Sequence, residues 1–345
     1  MKLKYLSIFF LIGIIITSIE LSLEYRAMQK GFYAHFISMF IGEPSNEIKH
    51  KDSFPYHSPA VPLKKTPGQI RFWMSSASYA LGPSIDGAFP NVFCRTLNSA
   101  GESCEMINAG KAGMSINENI KQLENEAIHW QPDYVILYSM SLDIERLSNR
   151  FFGSKNSIDT QTENSENIVN KPTPSHLTVD QLIEEQVENT TIYKHLRRYI
   201  GGTVLMSSIL HDDLTQEADK AFKTTLVKFI ETTKSIGATP IFVGFAPKYT
   251  KENISKIDYE GTLWLLRYNK YLSPTGWVNT MSRFDKIMQQ TAIEHEVVFI
   301  SDVHNLIAGK TRLYKDFVHF TQAGHKQVGE AIASGFIDAK KTNRL

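Results

Sequence analysis

Five short apolar runs recur along the chain, and each is bounded by turn or polar residues. They span residues 70–74, 104–108, 134–138, 240–245 and 297–301. Runs of this length that are rich in β-branched and aromatic residues are typical of buried strands. The pattern therefore predicts five β-strands.

Between the strands, apolar residues recur at three- and four-residue spacing, which is typical of amphipathic helices. These helical patterns cover residues 89–97, 116–129, 218–236 and 283–295, and a last helix is predicted over 321–333 with Thr321 as its N-cap. Alternation of strands and helices predicts a three-layer α/β/α fold with a mostly parallel, five-stranded sheet. Reactive groups in such folds gather at the carboxyl ends of the strands.

The first residues of the chain indicate a membrane anchor. Lys2 and Lys4 precede an apolar run over residues 5–19, which ends at Glu20. The run is slightly short for a transmembrane helix, and counting residues 21–23 brings the predicted anchor, residues 1–23, into range. A signal peptide is the alternative, but no small-residue cleavage site follows the run. The lysines favour a cytoplasmic N-terminus and an extracytoplasmic domain, periplasmic or on the cell surface.

The remaining sequence divides by composition. Residues 24–68 contain five prolines, all from Pro44 onwards, and are predicted to be a linker. Residues 69–336 form the predicted domain, interrupted by a polar and then helical insertion at about 149–211. Residues 337–345 are predicted to be a solvated basic tail.

Charge and cysteine content exclude several classes of function. The formal charge of the 345-residue chain is +1. This balance indicates no basic surface, so no nucleic-acid partner is predicted. Its two cysteines, Cys94 and Cys104, form no CxxC pair and indicate no thiolate metal site. They can be free thiols or, outside the cytoplasm, a disulfide. The sequence predicts neither a metal nor a cofactor.

An acid and a base lie three residues apart before the last helix, at Asp316 and His319. On a tight turn the carboxylate can reach the imidazole and orient it as a general base. The same spacing also occurs by chance, as a helix-start aspartate beside a surface histidine.

Two strand ends carry further candidate groups. Ser75, Ser76 and Ser78 follow the first strand, where one serine could be a nucleophile and all could be ordinary turn residues. After the second strand, Gly110 and Gly113 permit close backbone approach, and the N–H of Gly113 could donate to an oxyanion. A phosphate-binding loop is the alternative, but the loop lacks the glycine and lysine pattern of such loops.

Taken in order, these segments resemble the SGNH hydrolase family, also called GDSL esterases and lipases. The resemblance places Ser76 at the nucleophile position and Gly113 at the oxyanion glycine. It places Asp316 and His319 in the family's last sequence motif, which supplies the acid and the base. It implies a Ser-His-Asp triad, with the N–H groups of Ser76 and Gly113 forming the oxyanion hole. Leu142 occupies the position of the family's oxyanion asparagine, and its side chain cannot donate a hydrogen bond.

The resemblance and the anchor together imply a function at the cell envelope. We expect hydrolysis or transfer of acyl groups, such as acetyl, on an extracytoplasmic glycan, with a membrane acyltransferase as a candidate partner. The alternative is a catalytically weak or inactive protein of the same fold that binds or assembles polysaccharide, which Leu142 favours. An aromatic cluster predicts core packing, with a carbohydrate or acyl platform as the alternative; its members are Trp264, Tyr268, Tyr271 and Trp277.

Overall fold

The computed structural model describes residues 15, 17–22, 56–153 and 210–345, without the side chains at 259, 260, 263, 264 and 267. The chain divides into two compact units, residues 1–53 with 159–207 and residues 54–158 with 208–345. The described residues of the first unit are helical. Most of the predicted anchor and insertion lies outside the described residues. Within the described part of the chain, no helix is both long and apolar enough to span a bilayer.

The second unit contains a five-stranded sheet in which every strand pair is parallel. Its strands are β1 (Ile70–Ser76), β2 (Cys104–Asn108), β3 (Tyr134–Tyr138), β4 (Thr239–Val243) and β5 (Val298–Ile300). Their order is β2-β1-β3-β4-β5, the flavodoxin-like arrangement. The predicted α/β fold with a five-stranded parallel sheet is thus confirmed. The chain changes direction of winding between β1 and β3, which makes the carboxyl end of β1 the expected place for a site.

Helices cover both faces of the sheet. They are α1 (Phe89–Ser99), α2 (Ile116–Gln122), α3 (Ser141–Phe152), α4 (Gln216–Ser235), α5 (Tyr259–Tyr268), α6 (Pro274–Glu294), α7 (Asp302–Ile307) and α8 (Gln322–Lys341). On one face, Phe72 of β1 contacts Phe93 of α1 and Phe336 of α8. On the other, Phe242 of β4 contacts Phe229 of α4. The predicted three layers are therefore present.

Several helices begin at side chains that accept hydrogen bonds from the free N–H groups of the first turn. The Oγ1 of Thr321 accepts from Gly324 N at 3.2 Å, which confirms the cap predicted for the last helix. Ser115 and Glu118 form a capping box at α2, which continues as a π-helical turn, Leu123–Ala127, and ends at Trp130. These caps fix where each helix starts beside the sheet.

The segment before β1 packs against the domain, although its proline content predicted a linker. Tyr56 is buried and lies edge-to-face against Trp73 at 5.1 Å. His57 N donates to Asn108 O at 3.2 Å, at the end of β2. Burial of the aromatic ring and pairing with β2 therefore extend the domain back to about residue 56.

The predicted basic tail also belongs partly to the fold. Residues 337–341 continue α8, and Ala339 is fully buried.

The two cysteines are paired. Cys94 of α1 is bonded to Cys104 of β2, with a Cα–Cα distance of 5.4 Å. Of the two alternatives left open by the sequence, the structure contains the disulfide.

A fully buried arginine joins β1, β2 and the segment before them. Arg71 Nε donates to Glu105 Oε2 at 2.8 Å, and its other nitrogens donate to the carbonyl oxygens of Pro62, Leu63 and Trp130. Arg71 is 0% exposed. A buried charge is tolerated when it is paired and its donors are satisfied. This network therefore holds residues 62 and 63 in place without leaving the cation unpaired.

We predict that Arg71→Met destabilises the protein by about 3–5 kcal/mol, because Glu105 and three carbonyl groups lose their partner inside the domain. Lys340→Met is the matched control. It removes an exposed ion pair with Glu102, and a loss under about 1 kcal/mol is expected. Urea unfolding of the two variants measures the difference. Equal, small losses would contradict the role given to Arg71.

Candidate active site

The loop after β1 carries the serine that contacts the predicted base. Ser78 begins a short 3₁₀ turn, Ser78–Ala80, two residues beyond the last residue of β1. Its Oγ lies 2.8 Å from Nε2 of His319. The turn is anchored by its other two residues, since Tyr79 and Ala80 are buried in the core. Ser78 itself is half-buried. The sequence therefore places one hydroxyl at the surface on a fixed turn.

Asp316 and His319 meet as their spacing predicted. Asp316 Oδ2 lies 2.7 Å from His319 Nδ1, while Asp316 Oδ1 accepts the backbone N–H groups of Val318 and His319 at 2.9 and 2.8 Å. The turn is closed by a hydrogen bond from Lys315 N to His319 O at 2.8 Å. Three donors thus hold one carboxylate, and that carboxylate orients the imidazole.

The turn is also held against the start of α8 by close backbone approach. A Cβ on Gly324 would lie 2.3 Å from Leu313 O, so this position has room for glycine alone. Thr321 N donates to the same carbonyl oxygen at 2.8 Å. The helix start and the preceding loop therefore fix where His319 stands.

The position of Ser76 differs from the prediction. The resemblance put Ser76 at the nucleophile, but Ser76 is the last residue of β1 and is fully buried. Its Oγ donates to Tyr138 O of β3 at 2.7 Å. The hydroxyl that reaches His319 belongs to Ser78. The structure thus brings Ser78, and not Ser76, into contact with the imidazole of His319.

The electrostatics of the turn favour an ionised aspartate. Burial alone would raise the pKa of Asp316, but the hydrogen bonds and charge of His319 and the two backbone N–H groups hold it below its usual value. An ionised Asp316 fixes the proton of His319 on Nδ1. Nε2 is then free to accept the hydroxyl proton of Ser78.

A second histidine near the site is part of the core. The side chain of His325 is buried and stacks on Phe89 at 5.9 Å. Its Nδ1 accepts Phe89 N at 3.3 Å. Burial, followed by the charges of Lys315, His319 and His57, lowers the pKa of His325 to about 4. It is therefore neutral at neutral pH and packs as an aromatic ring.

The loop after β2 lies beside the Ser78 turn. A Cβ on Gly110 would lie 2.9 Å from Ala80 Cβ and 3.0 Å from Ala77 O, so the two loops touch here. Gly113 follows with a φ of +77°, a backbone conformation that favours glycine. Neither Ser78 N nor Gly113 N has an acceptor among the backbone hydrogen bonds of residues 56–153 and 210–345. Two N–H groups near the strand ends thus remain available.

The first turns of α3 hold the Gly113 loop. Arg146 Nη2 donates to Gly113 O at 3.1 Å, and Arg146 also pairs with Glu118, the capping residue of α2. Asp143 Oδ1 accepts Ile116 N at 3.0 Å. Two side chains from one helix therefore fix both the glycine carbonyl and the start of α2.

Leu142, at the position of the family's oxyanion asparagine, and the neighbouring Ser139 are both packed into the domain. Leu142 packs partly buried against the core. Ser139 is buried, and its Oγ accepts a hydrogen bond from the Tyr79 hydroxyl at 3.0 Å. The side-chain hydroxyl of Ser139 thus serves to anchor the turn that carries Ser78.

The aromatic residues of the predicted cluster are packed in the domain. Tyr268 and Trp277 both contact Phe317, at 5.1 and 5.8 Å, and Tyr271 lies near Phe152. The side chain of Trp264 lies outside the described residues. Among the residues that the structure describes, no group of three or more acidic, histidine or cysteine side chains is arranged to hold a metal.

Comparison with known proteins yields structural similarity only. No family model matches the chain, and no curated protein is similar in sequence. A lipase/acylhydrolase from Enterococcus faecalis is 14% identical, covers 79% of this chain and 96% of its own, and has a TM-score of 0.44. An acetylxylan esterase from Geobacillus stearothermophilus is 14% identical over 78% and 94%, with a TM-score of 0.44.

A GDSL-like lipase from Bacteroides thetaiotaomicron is 8% identical over 80% of this chain and 89% of its own, with a TM-score of 0.40. Similarities of this extent carry no argument about activity. The assignment of the site therefore rests on its own geometry.

Asp143 gives a test of the electrostatics beside the Gly113 loop. Burial raises its pKa to about 7, against the hydrogen bond from Ile116 and the charge of Arg146. An acid with a raised folded-state pKa binds a proton on folding, so its stabilisation is present at low pH and is lost as pH rises towards 7. Asp143→Asn keeps an acceptor for Ile116 N and does not titrate.

We predict that Asp143→Asn gains stability relative to wild type between about pH 4 and pH 7, by up to about 1.4 kcal/mol per pH unit. Urea unfolding at several pH values measures this difference. Parallel curves for the two proteins would show that Asp143 is already ionised in the folded state.

Proposed function

We propose that this protein is a serine esterase or acyltransferase in which Ser78 is the nucleophile, His319 the general base and Asp316 the residue that orients it. The observation that carries the proposal is the continuous chain of contacts from Ser78 Oγ to His319 Nε2 and from His319 Nδ1 to Asp316 Oδ2, at 2.8 and 2.7 Å. A serine hydroxyl is unreactive without such a base. The acid and the base are those expected from the sequence, whereas the nucleophile is Ser78 and not Ser76.

The reaction follows from which atoms can exchange a proton. Ser78 Oγ attacks the carbonyl carbon of an ester while its proton passes to His319 Nε2, and ionised Asp316 stabilises the imidazolium. The tetrahedral intermediate collapses when His319 returns that proton to the leaving alcohol oxygen, which leaves an acyl group on Ser78. Water in hydrolysis, or another hydroxyl in transfer, then attacks the acyl carbonyl with the same base.

The oxyanion of that intermediate would be held by backbone groups. The free N–H groups of Ser78 and Gly113 are the candidates, with Gly113 kept in place by Arg146. Leu142 supplies no side-chain donor. Of the donors in the family pattern, the oxyanion hole therefore keeps at most these two backbone N–H groups. Loss of one donor typically costs about 10²–10³ in rate, so a slow enzyme is expected.

The substrate class and location are supported by features outside the triad. The Cys94–Cys104 disulfide fits an oxidising compartment, in agreement with the anchor predicted from residues 1–23. An extracytoplasmic domain that transfers or removes acyl groups would find them on an envelope glycan, and a membrane acyltransferase could supply them. The competing function is a glycan-binding or assembly protein without turnover, which the replacement at Leu142 favours.

We predict that Ser78→Ala lowers kcat/KM for p-nitrophenyl acetate at least about 10³-fold, because among the residues that the structure describes only the hydroxyl of Ser78 hydrogen-bonds to His319. Ser76→Ala is the matched control. It removes one buried hydrogen bond to Tyr138 O and should cost about 1 kcal/mol of stability while turnover continues.

Steady-state kinetics on the full-length proteins, with circular dichroism to verify folding, measure both effects. Turnover that is lost in Ser76→Ala and kept in Ser78→Ala would reverse the assignment. A folded wild-type protein with no serine-dependent turnover would support the binding-protein alternative.

Arg146 should act as a positioning residue for the oxyanion loop. We predict that Arg146→Met lowers kcat about tenfold with little change in KM, because the variant loses the contact that holds the Gly113 carbonyl oxygen. Lys111→Met is the control from the same loop, since Lys111 pairs with Glu126 and does not contact Gly113. An equal effect of the two substitutions would show that charge on the loop, and not the position of Gly113, is what matters.

A further inference from the structure

A large groove runs along the outer surface between α1 and α8. Its volume is about 1200 Å³, and its walls come from α1, from residues 84–87 and from the start of α8. Thr321, which lines the groove, is two residues beyond His319, and Ser84 on the opposite wall is six residues beyond Ser78. The groove is thus lined by residues that closely follow the proposed nucleophile and base in the sequence.

Three cationic side chains from different elements line this groove. They are Arg95 of α1, Arg312 of the turn before Asp316, and Lys326 of α8, and all three are exposed. Within the part of the chain that the structure describes, neither guanidinium group forms an ion pair, and Lys326 approaches only Glu330, at 3.9 Å. Guanidinium groups without an ion-pair partner are suited to bind planar anions, because each can donate two parallel hydrogen bonds.

The rest of the lining favours a polyhydroxylated ligand. Besides the cations and the carboxylates of Asp86 and Glu330, the walls carry hydroxyl and amide groups, and only two apolar side chains; the polar residues are Ser84, Thr96, Ser99, Thr321 and Gln322. The three cations outnumber the two carboxylates, so the lining carries a formal net charge of +1. Pockets for single small ligands usually measure about 300–1,000 Å³, and this groove has room for several sugar units.

We infer that the groove binds an anionic segment of a glycan, through carboxylate, sulfate or phosphate groups that pair with Arg95, Arg312 and Lys326. This inference rests on the proposed function and narrows its substrate class. The acylated sugar would lie at Ser78, and the charged neighbours along the same chain would lie in the groove. The groove then selects acidic polymers over neutral ones.

Binding is tested separately from turnover in the full-length Ser78→Ala variant, by titration calorimetry. The probes are an oligogalacturonate and a xylo-oligosaccharide of equal length, which differ in their carboxylates. The oligogalacturonate should bind at least about tenfold more tightly, and its affinity should fall between about 50 and 300 mM NaCl because the cations are exposed. Equal affinity for the two oligosaccharides would overturn the inference.

Substitutions identify the groove as the place of binding. On the Ser78→Ala background, Arg95→Gln with Arg312→Gln should weaken oligogalacturonate binding about tenfold, whereas Lys228→Gln, which removes an exposed charge on α4, should change it less than about twofold. An unchanged affinity of the double variant, or equally tight binding of an oligoglutamate with the same charge, would contradict an anionic-glycan site. Hydrolysis of p-nitrophenyl acetate by wild type decides the proposed function independently of these outcomes.

Discussion

Parallel pairing of β1 with both β2 and β3 determines where the loops of the candidate site can lie. Because Met74 pairs with Asn108 on one side and with Ile136 on the other, the three strands end at the same edge of the sheet. The Ser78 turn, the Gly113 loop and the start of α3 follow these three strand ends directly. The turn of Asp316 and His319 reaches this edge from the other end of the chain. Without this shared edge, the sheet would not bring these groups close to one another.

Charged side chains that are wholly or partly buried in the described part of the chain are mostly paired, both at the start of β1 and at the candidate site. The guanidinium group of Arg71 donates hydrogen bonds to one carboxylate and three carbonyl oxygens, and the carboxylate of Asp316 accepts three hydrogen bonds. Asp143 is the exception, since its Oδ2 is buried without a partner and its pKa is raised. A carboxyl group in that state next to the oxyanion loop links the stability of the loop to pH. The site thus combines Asp316, which stays ionised, with Asp143, whose burial costs more free energy as pH rises and its carboxyl group ionises.

The hydrophobic pattern predicted the five strands and the main helices because each element is buried enough for its period to show. The spacing of Asp316 and His319 likewise predicted their contact, since a tight turn brings residues three apart together. The serine could not be assigned in this way. Three serines occupy residues 75–78, and the choice depends on β1 continuing through Ser76, which buries that hydroxyl against Tyr138 O. Strand length at this end is set by pairing with β3, which the local sequence does not show.

The segment before β1 illustrates a second limit of local patterns. Its prolines indicated a linker, whereas Tyr56 and the carbonyl groups bound by Arg71 attach it to the domain. The cationic groove is also invisible locally, because Arg95, Arg312 and Lys326 are far apart in sequence and meet through the packing of α1 against α8. Long-range packing, and not residue type, creates both features.

The central claim is that His319 activates Ser78 and not Ser76. The most direct measurement is to treat the full-length protein with a fluorophosphonate and to identify the modified residue by peptide mass spectrometry. The account predicts a phosphonyl adduct on Ser78 that is absent after His319→Ala. An adduct on Ser76, or on a serine that still reacts without His319, would contradict it.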